Sequence, residues 1–133
     1  MLARPRATAV DDSPEFLELV GDILTDEHYA VTLIDSDKPG TTAAIKASQP
    51  DILMLDLRLG SEGLRGRDVL HDVRRDPDLT HLPILLCSGD LEGMERVESE
   101  MGSMTGVETL QKPFTLNELS EAISNLRSDA ETP

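Results

Sequence analysis

Five side chains far apart in the sequence have types that could do chemistry together. Asp11 and Asp12 follow the short run Ala7-Thr8-Ala9-Val10, and Asp56 closes Ile52-Leu53-Met54-Leu55. Ser88 follows Pro83-Ile84-Leu85-Leu86-Cys87, and Lys112 stands just beyond Val107-Glu108-Thr109-Leu110. Three carboxylates gathered in a partly buried cleft repel one another and call for a cation. Donors that are all hard oxygens favour Mg²⁺, with Mn²⁺ as its stand-in in vitro. Lys112 adds a point charge suited to a phosphoryl oxygen, and the Ser88 hydroxyl can donate to another. Taken singly, most of these residues have plainer roles: Asp11 or Asp12 as a helix start, Ser88 as a turn residue, Lys112 as a solubilising charge. Asp56 is harder to dismiss, because a carboxylate ending the most apolar run must face a cleft or a cation.

The elements that would position these groups alternate strand and helix. Residues 7–10 read as a first strand. Ser13 then caps a helix with Pro14 in its first turn, where the missing N–H costs nothing. Phe16, Leu17, Val20, Ile23 and Leu24 give that helix one apolar stripe. A strand is expected over 30–34, then a helix over 40–48 whose Ala43, Ala44 and Ala47 would permit close packing on a sheet. Residues 51–56 form the clearest strand, with no polar alternation before Asp56, as in a central parallel strand covered on both faces. A loop over 57–64, containing Gly60 and Gly63, leads to a helix over 67–75 that Asp76-Pro77 stops. Residues 83–87 are a fourth strand. Leu91, Met94, Val97 and Met101 mark a fourth helical face, Gly102 and Gly106 bracket a loop, and 107–110 make a last strand. Thr115 and Glu118 form a capping box for a final helix with Leu116, Leu119, Ala122, Ile123 and Leu126 on its buried side. The residues after Arg127 read as a frayed tail. This order is (βα)₅, an α/β domain with helices on both faces of a parallel sheet. Strands pointing one way bring their C-terminal ends, and so the five polar groups, to a single edge.

The rest of the composition narrows the classes. The 133 residues suit one domain, with a core of aliphatic residues, because the chain has two Phe, one Tyr and no Trp. A net charge of -14 disfavours direct contact with nucleic acid or anionic membranes. One cysteine excludes an internal disulfide and a cysteine-based zinc cluster; Cys87 reads as a small buried hydrophobe. No stretch approaches the roughly 20 apolar residues of a membrane span, and the N-terminus lacks the apolar core of a signal peptide, so a soluble cytoplasmic protein is expected.

The segments Val10-Asp11-Asp12-Ser13-Pro14, Pro50 to Leu57, Pro83 to Gly89 and Lys112-Pro113-Phe114 together resemble the receiver domain of two-component response regulators. The resemblance covers residues 7 to about 127 and implies a CheY-like, flavodoxin-like fold, with a five-stranded parallel sheet of order 2-1-3-4-5. It implies a receiver unit over 6–127, followed by a tail over 128–133. By the same resemblance Asp56 is the phosphoacceptor, taking its phosphoryl group from a phosphohistidine or a small phosphodonor in an Mg²⁺-dependent reaction. Asp12, Asp56 and the Arg58 backbone carbonyl would hold the metal, with Asp11 acting mainly through water. Ser88 would follow the phosphoryl group and Lys112 would pair with it. The implied partners are a sensor histidine kinase or a histidine phosphotransfer protein, and an unidentified downstream protein. Autodephosphorylation by an in-line water is implied too, with Arg58 and Asp90 flanking the water's path as a lifetime gate. The Lys112–Pro113 peptide is expected to be cis.

The chain departs from the family pattern in three ways. Thr109 stands where an aromatic switch residue is usual. The loop after Asp56 is two residues longer than the common form, counting to Gly66, and has Gly60 where proline is common. No output domain is expected after the fifth helix, and the acidic Glu92, Glu95, Glu98, Glu118 and Glu121 also disfavour a dimer that relies on mixed-charge pairs across the last two helices. A protein-interaction module that works without phosphorylation is the main alternative. A flavin protein is disfavoured by the acidic first loop. A haloacid-dehalogenase-like phosphatase is disfavoured because Asp56-Leu57-Arg58 lacks a second aspartate.

Overall fold

A computed structural model describes residues 4–35, 40–57, 65–101 and 106–131. Five parallel strands alternate with five helices: β1 (Arg6–Asp11), α1 (Pro14–Asp26), β2 (Ala30–Asp35), α2 (Thr41–Ser48), β3 (Ile52–Asp56), α3 (Arg65–Arg75), β4 (Ile84–Ser88), α4 (Leu91–Met101), β5 (Val107–Gln111) and α5 (Leu116–Glu131). The strand order is β2-β1-β3-β4-β5. This is the (βα)₅ arrangement expected from the alternation of elements.

The inner strands are buried on both faces, and their side chains alternate between two cores. Ala7, Ala9, Met54, Leu85 and Cys87 join Leu17, Val20 and Leu24 of α1 and Leu119, Ile123 and Leu126 of α5. Val10, Leu53, Leu55, Ile84 and Leu86 face the other way, onto Ile45 of α2, Leu70 and Val73 of α3, and Met94 and Val97 of α4. Thr8, buried on this second face, exchanges a hydrogen bond of 2.7 Å with Ser48, which ties α2 to β1. The helix starts behave as their residue types dictate. The Ser13 hydroxyl accepts from the Phe16 N–H at 3.3 Å. Thr115 and Glu118 bond reciprocally, at 3.0 and 3.1 Å.

Several local expectations are corrected. Helix α2 buries Ile45, while Ala43 and Ala47 are exposed and Ala44 is half-buried, so its apolar contact with the sheet rests on one branched side chain rather than on the small residues. Leu91 and Leu116 are 49% and 58% exposed, because each opens its helix beyond the sheet edge. The last helix continues to Glu131; neither glycine nor proline intervenes between Arg127 and that residue. The loop expected over 57–64 lies outside the described residues apart from Leu57, and with it lie Arg58, Gly60 and Gly63. Among the described residues no helix is long and apolar enough to cross a membrane.

Candidate functional site

Parallel strands carry Asp11, Asp56 and Ser88 to the C-terminal edge of the sheet as the last residues of β1, β3 and β4. Lys112 follows β5 directly, and its N–H donates to the Ser88 carbonyl at 2.8 Å, which locks the start of its loop to β4. The Lys112–Pro113 peptide is cis. Asp11 and Asp56 are buried, at 2% and 7% exposure, and Asp12 is half-buried. Their three carboxylates can bring oxygens within 4.8 Å of one another. The donor set of three hard anionic oxygens fits a divalent cation completed by water.

The Lys112 ammonium enters this acidic cluster and donates at 2.8 Å to Oδ2 of Asp11 and at 2.8 Å to Oδ2 of Asp56. The other Asp11 oxygen accepts from the Ser13 N–H at 3.0 Å. Burial pushes the Asp11 carboxyl above its ordinary range; Lys112 pulls it back, and the neighbouring Asp56 pushes it up again. Burial also works against the charge of Lys112, but the hydrogen bonds it donates to Asp11 and Asp56 outweigh it and hold the ammonium above the usual lysine value. The result is a cation poised between two carboxylates, in a place where developing negative charge would be stabilised. Cys87, buried beneath, is pushed far up by burial and stays a thiol, as its apolar run suggested.

Ser88 is buried and its hydroxyl accepts from the Asp90 N–H at 2.9 Å. Asp90 in turn accepts from the Gly93 N–H at 2.9 Å and so caps α4. Thr109 lies opposite Leu86 in the sheet and is half-buried on the same side of β5 as Val107, toward α4. The Arg58 carbonyl and the suggested Arg58–Asp90 gate lie outside the described residues on the Arg58 side.

One contact was not legible as site chemistry. The Lys112 Nζ stands 3.8 Å above the ring centroid of Phe16, which the apolar stripe of α1 had absorbed. Phe114 meets the same ring edge-on, with centroids 5.9 Å apart. The available signal was that the chain's only two Phe residues lie four positions after Asp12 and two after Lys112.

The family model of the response regulator receiver domain matches residues 7–124. The chain is similar to the chemotaxis protein CheY of Pseudomonas aeruginosa, at 29% identity over 88% of this chain and 91% of that protein. It is also similar to the sensor histidine kinase TmoS of Ectopseudomonas mendocina, at 27% identity over 94% of this chain but only 12% of the kinase. Among solved structures, the receiver domain of a Pseudomonas aeruginosa sensor histidine kinase, with a magnesium ion coordinated in its active-site cleft, shares the fold. Its TM-score is 0.76 at 22% identity, covering 98% of this chain and 100% of that one.

Proposed function

Because this chain belongs to the response regulator receiver domain family, we propose that it is a phosphorylatable switch in histidine-kinase phosphorelay signalling, with Asp56 as the acceptor. The observation that carries the reading is the Lys112 bridge between Asp11 and Asp56, beside a third carboxylate at the edge of the sheet. An Asp56 oxygen attacks phosphorus while the P–N bond of a phosphohistidine breaks, or the P–O bond of a small acyl phosphate. The leaving group departs with the bonding electron pair, and Asp56 becomes a mixed anhydride. Lys112 stands within reach of the oxygens that gain charge during transfer, so positioning and electrostatics supply the rate.

Asp12, Asp56 and the Arg58 carbonyl would hold Mg²⁺, or Mn²⁺ in vitro, with Asp11 acting through water. A bound cation there supplies further neutralisation of phosphoryl oxygens. The Ser88 hydroxyl accepts from the Asp90 N–H and still has its own proton to donate to a phosphoryl oxygen. Its movement would drag the Asp90 cap and so the start of α4, shifting the face that a partner reads. With Thr109 at the usual aromatic position, that shift runs through the backbone of the β4–α4 connection. Residues 6–127 are the unit proposed to switch, its phosphodonor a sensor histidine kinase or histidine phosphotransfer protein in the cytoplasm.

The test is intact-mass spectrometry after exposure to a small acyl phosphate and Mg²⁺. One hydroxylamine-labile phosphoryl addition is expected, and none in Asp56→Ala. An unchanged addition in the variant would overturn the assignment of Asp56. No addition to the wild type would favour a module that works without phosphorylation.

A further inference from the structure

We propose that Phe16 is a positioning residue for phosphoryl transfer, its ring face fixing the Lys112 ammonium beside Asp56. The inference rests on the reading of Asp56 as acceptor. Three observations meet here: Nζ lies 3.8 Å from the Phe16 centroid, it contacts Asp11 and Asp56 at 2.8 Å, and Phe114 braces the ring at an interplanar angle of 79°. The negative face of an aromatic ring attracts a cation, most strongly where water is partly excluded. Lys112 is such a case, with its side chain 23% exposed.

A lysine on a flexible four-carbon stem goes where its partners hold it. Its two carboxylate partners change during the reaction. Asp56 ceases to be a free carboxylate once it carries a phosphoryl group, and the charge of Asp11 is shared with any cation the acidic cluster holds. The Phe16 ring is neutral and its attraction for the ammonium persists through both changes. Phe114 couples the ring to the Lys112 loop itself, because it lies two residues beyond the lysine. The bracket therefore joins α1 to the β5–α5 connection across the mouth of the site.

Replacing Phe16 by mono-, tri- and pentafluorophenylalanine weakens the ring face while nearly keeping its shape. Initial rates of Asp56 phosphorylation from a small acyl phosphate, at saturating Mg²⁺, should fall stepwise along the series. Phe16→Leu should be slower than wild type by roughly 3- to 10-fold, and Phe16→Tyr should restore most of the rate. The second readout needs neither metal nor phosphodonor. The Lys112 ε-methylene resonances should be displaced upfield by the ring current in wild type and return to ordinary positions in Phe16→Leu. Rates that stay level across the fluorinated series, or ε-methylene resonances at ordinary positions in the wild type, would overturn the role of Phe16 and leave the acceptor assignment standing. A wild-type chain that takes no phosphoryl group would overturn both.

Discussion

Gly66 and Asp56 meet backbone to backbone: a Cβ on Gly66 would stand 2.1 Å from the Asp56 carbonyl oxygen. It would also lie 2.6 Å from the Leu57 Cα, while the Gly66 N–H donates to the Leu57 carbonyl at 2.9 Å. The first turn of α3 is thus pressed against the end of β3, at the proposed acceptor. Gly66→Ala must displace backbone, since no flexible side chain is there to yield. We expect it to lose about 1–3 kcal/mol of stability in urea unfolding and to slow Asp56 phosphorylation. Gly89→Ala is the control. Its Cβ would come no closer than 3.9 Å, to the Lys112 carbonyl, although Gly89 flanks the same edge. Equal behaviour of the two variants would refute the importance of this approach.

Asp76 gives a pH dependence away from the site. One of its oxygens accepts from the Asp78 N–H at 2.9 Å and the other pairs with Lys46 at 3.1 Å. The Asp78 N–H first, and Lys46 second, hold its carboxyl below the ordinary carboxylate value of about 4. The unfolded chain therefore takes up this proton at higher pH than the folded one. The stability from Asp76 is complete above the ordinary value and is lost as pH falls through the lowered one. Asp76→Asn should melt below wild type at pH 7, and the gap should close in acid. A gap that is constant with pH would show that the charge is irrelevant. High salt should shrink it as well, because the pair is exposed to solvent.

Much of this arrangement is written in the chain because its strands are covered on both faces. Such strands read as apolar runs, and Asp11, Asp56 and Ser88 stand out where the runs end. Their convergence follows from parallel topology alone. What depends on side-chain geometry was not legible. Ile45, rather than the alanines of α2, meets the sheet because helix rotation is set by tertiary fit, to which the Thr8–Ser48 bond contributes. Leu91 and Leu116 match the apolar period of their helices, yet each sits beyond the last strand residue that could cover it. Phe16 satisfies the period of α1 and also serves Lys112, 96 positions away in sequence. Periodicity cannot separate these two duties.

The proposed phosphoryl lifetime can be tested through Asp90 without disturbing α4. Asp90→Ala would remove the cap on the Gly93 N–H and mix a structural loss with any effect on hydrolysis. Asp90→Asn keeps an oxygen for that cap and removes only the charge that could pair with Arg58. If the pair obstructs in-line water, Asp90→Asn and Arg58→Ala should both shorten the lifetime of phosphorylated Asp56. The double variant should decay no faster than the faster single variant. The measurement is phosphate release after donor removal at fixed Mg²⁺. Additive acceleration in the double variant would show two independent effects and reject the gate.

Cation binding should stabilise the fold itself. Asp11 and Asp56 are buried close together with Asp12 beside them, and one ammonium must serve the first two. A dication that binds only the folded chain stabilises it by mass action, by about 2.7 kcal/mol at about 100 times Kd. For a domain of this size that raises the melting temperature on the order of 10 °C. The chain carries a net charge of -14, so a nonspecific rise from screening must be separated from the site effect. Asp12→Asn makes the separation. Asp12 is only half-buried, so its amide should fold, yet the metal site loses one of its three anionic donors. Calorimetric scans should show the Mg²⁺ increment in wild type and only a small remainder in Asp12→Asn, with Na⁺ at matched ionic strength as the baseline. An equal increment in both proteins would place the bound Mg²⁺ elsewhere on the acidic surface.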